Sequence, residues 1–272
     1  MLICFMAVES SKEFNRISQE YDQGRVSEDI FFWAGEAARL AGLNSNSLIV
    51  DVGCGTGNYG IGIKVKTHAT VVGFDPVPGM LAQAREKAPD FPVVRAVTEK
   101  IPFRGDVFDL SYAAQVWHHI QGRQEAAYEL SRILKLGGCH IAHTISHLQL
   151  NEKIVFKFFP EIKVNQLRVY PSDDEFNTIF RKAGFKTVEV YPYNVERYQS
   201  ADEFIEIAEK KLWSMFRPIT EDGLKKGVVE LKKWKKEHND TPVRNDEMIS
   251  LFMARKSLRV KKSGSLTRTV VI

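Results

Sequence analysis

Apolar and polar positions along the chain alternate between two periods. Leu48 to Asp51, Thr70 to Asp75, Pro92 to Arg95 and Val107 to Ala113 are short runs of strand length, mostly apolar and β-branched, the first two ending in an acid, and Leu136 to Ala142 is a Gly-Gly turn into a fifth. Between them, Val77 to Lys87 places Met80, Leu81 and Ala84 at helical spacing, and Arg123 to Leu134 reads as an amphipathic helix. Strands alternating with helices predict an open α/β sheet, in which residues at strand ends point at a ligand crevice. The first run leads straight into Gly53-Cys54-Gly55-Thr56-Gly57, where glycines let the backbone turn sharply and let a ligand lie against the main chain.

The second half carries the same punctuation at longer intervals. His147 to Phe159 reads as a helix that Pro160 ends. Ser172 is an N-cap with Glu175 three positions on, opening a helix that runs to the Ala183-Gly184-Phe185 turn and into a strand from Lys186 to Tyr191. A last strand is expected over Glu247 to Ala254. The long interval before it reads as two amphipathic helices, Ala201 to Phe216 (Phe204, Ile207, Ala208, Leu212, Trp213) and Glu221 to Lys236 (Leu224, Val228, Leu231, Trp234). Each buries one face, so the pair is expected to form a cap over the sheet edge, the other reading being an oligomer surface.

The glycine loop admits two ligands on spacing alone. Gly55, Gly57 and Gly60 fit the G-x-G-x-x-G register of a dinucleotide site, and Asp75 supplies the acid about 20 residues further on. Asp51, just ahead of the glycines, argues for a cationic ligand, because a carboxylate repels a pyrophosphate.

The string Asp51-Val52-Gly53-Cys54-Gly55-Thr56-Gly57 resembles motif I of the class I S-adenosylmethionine-dependent methyltransferases. Further segments are similar in the same order. They are Thr70 to Asp75, the stretch from Asp75 through Met80, Leu81 and Ala84, then Thr98-Glu99-Lys100-Ile101-Pro102-Phe103, Trp117-His118-His119-Ile120 and the Gly137-Gly138 turn. The likeness spans roughly residues 9 to 145 and is strongest to the ubiquinone and menaquinone biosynthesis-like group. It implies a Rossmann-like, doubly wound seven-stranded sheet whose last strand is antiparallel, with a helical cap formed by insertions.

The resemblance also implies S-adenosyl-L-methionine as cofactor, held by Tyr21, Asp51, Gly53, Cys54, Gly55, Gly57, Asp75, Pro76, Met80, Thr98, Glu99 and Gln115. Asp75 would accept the ribose hydroxyls, Thr98 and Glu99 would border the adenine, and the Tyr21-Asp22 segment would fold over the ligand. Ala96 departs from the pattern, standing where a carboxylate often meets the adenine amino group. The implied organisation is N-terminal helices over 1–45, a cofactor-binding core over 46–146 and a cap segment over 147–184. The sixth and seventh strands then occupy 185–256 with an inserted pair at 199–238, followed by a basic tail over 257–272.

Composition narrows the partners. The chain has 272 residues, 44% of them hydrophobic, and a formal net charge of +4. No apolar stretch reaches membrane-spanning length, and Met1 to Met6 lacks the basic flank of a signal peptide, so a cytoplasmic protein is expected. Cys4, Cys54 and Cys139 show no metal-ligand spacing, and Cys54 answers the loop's need for a small side chain. Arg255, Lys256, Arg259, Lys261, Lys262 and Arg268 form a basic run that reads either as a solvated terminus or as a nucleic-acid arm.

Methyl transfer from a sulfonium is an in-line displacement that needs alignment, water exclusion and sometimes a base. His118 and His119 are the catalytic candidates, followed by His143 and His147; no metal is required, since no carboxylate pair accompanies them. Tyr21, Trp117, Phe156, Phe159, Tyr170, Tyr193, Tyr198 and Trp213 would suit an apolar or planar small-molecule acceptor, though aromatics also fill a cap core. A monomer or homodimer is expected. The alternatives are an RNA or protein methyltransferase using the basic tail, or a non-catalytic S-adenosylmethionine-binding protein.

Overall fold

The computed structural model describes residues 12, 14–16, 18, 19, 21, 22 and 27–257. Seven strands form one sheet in the order β3-β2-β1-β4-β5-β9-β6. In chain order these are β1 (Leu48–Val52), β2 (Thr70–Asp75), β3 (Val93–Arg95), β4 (Phe108–Ala114), β5 (Leu134–Thr144), β6 (Phe185–Val195) and β9 (Glu247–Lys256). Only β9 runs against the others, pairing antiparallel with both β5 and β6. This is the Rossmann-like arrangement that the motifs implied.

Helices cover both faces, which is why the central strands read as continuous apolar runs. On one face α1 (Ser27–Ala41), α2 (Asn58–Thr67) and α3 (Pro78–Lys87) bury Trp33, Ile63 and Leu81 against Ile49, Val71 and Leu110. On the other, α4 (Arg123–Ile133) and α8 (Asp173–Lys182) bury Leu130, Phe176 and Phe180 against Val50, Phe108 and Phe252. Ser172 caps α8 by accepting from the Glu175 amide at 3.1 Å, and Gly184 closes it at φ 91°.

The expected single helix over His147 to Phe159 is instead α5 (His147–Glu152) and α6 (Val155–Phe158), and Pro160 opens α7 (Pro160–Val169) rather than ending a helix. Proline suits the first helical turn because its missing N–H is one the helix leaves unpaired anyway. The inserted segment holds α9 (Ala201–Glu209), a 3₁₀ turn (Ser214–Phe216) and α10 (Glu221–Glu237). The helix expected to reach Phe216 stops at Glu209 because Lys211 turns left-handed at φ 51°, with the Leu212 amide donating back to Ile207 O at 3.0 Å. Leu212, expected on the buried stripe, is 58% exposed.

A short ribbon of β7 (Tyr198–Gln199) and β8 (Val243–Arg244) closes the insert where it leaves and rejoins the sheet. Its helices share a third core with α6 and α7, built on Phe156, Phe159, Phe204, Phe216 and Leu231. The two cap segments read separately in the sequence are thus one packed unit. Among the described residues no helix is long and apolar enough to cross a membrane.

Of the basic run, Arg255 and Lys256 are described, and both serve the fold. Arg255 donates to Gly137 O and Leu40 O at 3.2 Å, while the Lys256 ammonium caps the end of α4 at Ser131 O (2.8 Å) and Leu134 O (2.6 Å). Cys4, Arg259, Lys261, Lys262 and Arg268 lie outside the described residues.

Candidate functional site

The chain adds β2 and β3 on one side of β1 and β4 and β5 on the other, so the order reverses between β1 and β4. Crevices form beyond the carboxyl ends of strands at such switch points. A cavity of about 280 Å³ lies there, at the lower end of the small-molecule range.

Glycine geometry shapes its floor. Gly53 and Gly55 take φ 61° and 55°, where a side chain would be strained. A Cβ on Gly53 would stand 2.7 Å from a Val116 methyl, whereas nothing lies within 4 Å of a Cβ built on Gly55. The main chain is thus packed on one side and open to the cavity at Gly55.

Asp75 ends β2 with a polar function already half used. Its Oδ2 accepts from the Gly55 amide at 3.0 Å and its Oδ1 from the Val77 amide at 2.8 Å, leaving each oxygen further acceptor capacity. The residue is 8% exposed, and burial raises its pKa against the lowering effect of those two amides. Pro76, Met80 and Tyr21 line the cavity beside it, with Thr98 and Glu99 across from them. Glu99 Oε1 also accepts from the Gly122 amide at 3.2 Å.

Gln115 closes the far side just past β4, with φ 56°, its amide donating to His143 O at 2.8 Å. Strained backbone in a non-glycine residue clusters at ligand sites and must be held by its surroundings. From the N-terminal segment, Phe14 and Tyr21 both line the cavity. Asp22 ties this segment down, accepting from Thr56 Oγ1 (2.8 Å), Asn58 Nδ2 (2.7 Å) and Lys87 Nζ (2.6 Å).

Nine of the twelve residues expected at the cofactor line the cavity; Asp51, Cys54 and Gly57 do not. Asp51 lies beneath the loop, 2% exposed, and accepts from the Gly60 amide at 2.9 Å in the first turn of α2. Its carboxyl oxygen thereby satisfies one of the amides that the helix start leaves unpaired. Burial, with Asp75 nearby, pushes its pKa up to about 8. The Cys54 side chain packs on β2, where a Cβ on Gly73 would meet its sulfur at 2.7 Å, and burial pushes its pKa far up. Gly57 is the left-handed N-cap of α2, packed near Phe91.

The histidines separate. His119 lines the cavity with its ring open to it, edge-on to Phe14 at 5.3 Å. Surrounding protein, and then the Arg217 charge, hold its pKa below the ordinary value. His118 is not part of the lining: it stacks on Tyr170 at 4.3 Å, its buried Nδ1 has no partner, and burial depresses its pKa strongly. His143 is sealed against Trp33 and Tyr59 with its Nδ1 2.7 Å from the Tyr112 hydroxyl, and His147 Nε2 bonds to Tyr170 O at 2.9 Å. Among the described residues no group of three or more histidine, cysteine or acidic side chains could hold a metal.

Of the aromatics expected around the crevice, only Tyr21 reaches the lining; Phe156 and Phe159 are cap core and Trp117 is buried beneath the turn after β4. The lining residues that sequence reasoning passed over are mostly apolar, among them Val77, Val97 and Ile120, and nothing in their type distinguishes them from core.

A family described as "Methyltransferase domain" matches residues 50–142. Demethylmenaquinone methyltransferase of Chlorobaculum parvum is 28% identical over 167 residues, 54% of this chain and 69% of that protein. The chloroplastic 2-methyl-6-phytyl-1,4-hydroquinone methyltransferase of Spinacia oleracea is 33% identical over 172 residues, 61% of this chain and 47% of that one. Among solved structures, a protein described as a methyltransferase of an antibiotic biosynthesis pathway in Anabaena variabilis shares the fold with a TM-score of 0.67 at 18% identity, covering 81% and 95% of the two chains. The phosphoethanolamine N-methyltransferase 2 of Haemonchus contortus, solved with S-adenosylhomocysteine, gives 0.51 at 19% identity over 81% and 51%.

Sheet order and strand-end cleft define a Rossmann-like fold, shared with solved structures described as methyltransferases. The match over residues 50–142 identifies that stretch as similar to a methyltransferase domain, and the curated relatives it resembles are named as methyltransferases.

Proposed function

We propose that the protein transfers the methyl group of S-adenosylmethionine to a small, apolar, aromatic acceptor of hydroquinone type, and that the strand-end cleft holds the cofactor. One observation carries the site: Asp75 is pinned by two backbone amides with acceptor capacity left on both oxygens, beside the open main chain at Gly55. Two hydroxyls on adjacent carbons of a ribose match that pair of oxygens. Gly53 and Gly55 would receive the amino-acid end, Met80 and Pro76 would pack on the adenosine, and Thr98 and Glu99 would border the adenine. Asp51, Cys54 and Gly57 then act from behind, by holding α2 and the loop.

The cofactor supplies an electrophilic methyl group on a sulfonium. The chain's own work is alignment and drying. Gln115, fixed in its left-handed conformation, and Val116, pressed on Gly53, set the wall along which the acceptor approaches. Phe14 and Tyr21 exclude water from above. His119 is neutral at pH 7 and can accept a hydrogen bond from an acceptor hydroxyl, orienting its oxygen; its lowered pKa makes it a weak base, so orientation is its larger contribution.

The acceptor class is supported by the mostly apolar lining and by relatives named for demethylmenaquinone and phytylhydroquinone. In this reading 46–146 binds the cofactor, and the cap, which approaches the cleft near enough for Arg217 to act on His119, selects the acceptor. The use of Arg255 and Lys256 within the fold weakens the case for a nucleic-acid arm. The cleft is built within one chain, so the reading serves a monomer or a homodimer, acting in the cytoplasm where the buried thiols of Cys54 and Cys139 stay reduced.

The test is titration calorimetry with S-adenosylmethionine and with NAD, followed by labelled methyl transfer to a panel of hydroquinones, catechols and RNA. Binding of the dinucleotide alone, or transfer to RNA alone, would overturn the reading.

A further inference from the structure

Residues 115–121 form the turn after β4, and Gln115, Val116, His119, Ile120 and Gln121 all line the cleft. Trp117 instead points into the core, fully buried, with its ring edge-on to Phe176 at 5.4 Å and Phe180 at 5.2 Å. Its single polar atom, Nε1, donates to Nε2 of His140 at 3.0 Å, and His140 Nδ1 stands 2.9 Å from Ser111 Oγ. Ser111 and His140 are both fully buried, in the middle of β4 and β5.

Chemistry settles the proton positions along this chain. The indole N–H can only donate, so Nε2 of His140 must be the bare nitrogen and Nδ1 must carry the proton, donating to Ser111 Oγ. Burial lowers the His140 pKa to about 3, so the neutral tautomer persists throughout the range in which the enzyme works. The link therefore behaves as a fixed strut.

We infer that His140 is a positioning residue for methyl transfer: through Trp117 it sets the height of the turn that carries the cleft's far wall. This rests on the cofactor site proposed above. The turn needs such a strut because Gln115 occupies a left-handed conformation that is strained for a non-glycine residue and relaxes unless its neighbours hold it. Trp117 follows Gln115 by two residues and begins the 3₁₀ turn in which the Val116 carbonyl accepts from the His119 amide at 2.8 Å. Tilting the indole moves Val116 away from Gly53 on one side and His119 away from Phe14 on the other. Both walls of the cleft shift together, although His140 touches neither.

The experiment compares wild type, W117F, H140L, H140Q and the double variant W117F/H140L. The readouts are S-adenosylmethionine affinity, kcat with the best acceptor, melting temperature and Gln-to-Leu comparison at position 140. H140L strands the indole N–H, and is expected to weaken S-adenosylmethionine binding about 10-fold and to lower kcat. H140Q offers an amide oxygen to the same N–H and should recover most of both. W117F removes the N–H while keeping a ring, so adding H140L to it should change affinity less than 3-fold. The effects should be the same at pH 6 and pH 8. Should H140L fail to fold, W117F alone carries the test, with an expected loss of 3- to 10-fold. Unchanged affinity and kcat in folded W117F and H140L, with only a lower melting temperature, would overturn the inference. Failure of wild type to bind S-adenosylmethionine would instead overturn the site assignment on which it rests.

Discussion

At the scale of single residues, the cleft depends on groups whose hydrogen bonds are set before any ligand arrives. Asp75 is held by the amides of Gly55 and Val77, so replacing it with alanine removes the acceptor proposed for the ribose and also frees the loop. D75A is expected to weaken S-adenosylmethionine binding by about 1–3 kcal/mol, the scale of a lost charged hydrogen bond, as read by calorimetry. Gly53 makes a sharper prediction. An alanine there combines a left-handed backbone with a Cβ placed 2.7 Å from the Val116 methyl. G53A should therefore lose more affinity than D75A while remaining folded by circular dichroism; equal binding by G53A and wild type would remove the Gly53–Val116 contact from the account.

At the scale of elements, the sequence showed where chain punctuation is chemical and concealed it where punctuation is geometric. Ser172, Glu175 and Gly184 marked α8 because a side-chain cap and a glycine C-terminus are written in residue type. The end of α9 was invisible, since Lys211 adopts φ 51° without glycine or asparagine to announce it. Pro160 was ambiguous in principle, because proline both follows helices and starts them.

One tight joint of the cap lies in α10, where a Cβ on Gly227 would collide with the Phe159 ring and stand 2.8 Å from Phe158 O. G227A should destabilise the protein by about 1–3 kcal/mol through overpacking, measured by urea unfolding. If the cap selects the acceptor, that variant should raise the acceptor KM while leaving S-adenosylmethionine affinity within 2-fold. A change confined to cofactor affinity would contradict that division of labour.

At the scale of the whole molecule, buried titratable groups shape the pH response. Asp51 stays protonated in the folded state up to about pH 8, whereas in the unfolded chain it ionises near 4. The folded form therefore binds more protons between these values, and this group makes stability fall as pH rises through the window. His140 and His143 act oppositely: folding lowers both to about 3 from an ordinary value of 6.5, so stability rises as pH climbs from about 3 to 6.5. The two effects oppose each other up to about pH 6.5, and above it these histidines no longer offset the Asp51 contribution. Thermal melts without ligand should show stability declining from about pH 6.5 to 8, and D51N should flatten that decline. A decline that survives D51N would assign it elsewhere. Saturating S-adenosylmethionine at 100 times its dissociation constant should add about 2.7 kcal/mol, visible as a rise in melting temperature.

Residue order by itself marked the central strands, the glycine loop and the acid at Asp75, because strand periodicity, glycine spacing and an acid at a strand end are local and leave their mark in consecutive residues; spacing left the ligand open between two classes, and only the resemblance of the motifs pointed to S-adenosylmethionine. Tertiary structure alone decided which of those residues face the cleft. Asp51 and Asp75 look alike in the sequence, each a carboxylate closing an apolar run, yet one turns under α2 and the other toward the cavity. His118 and His119 are adjacent and identical, yet a 3₁₀ turn anchored by Trp117 sends one against Tyr170 and the other to the lining. The physical reason is the same in both cases: side-chain direction at a strand end is set by how the following turn packs, and the partners that fix it, Gly60, Tyr170 and His140, lie elsewhere along the chain.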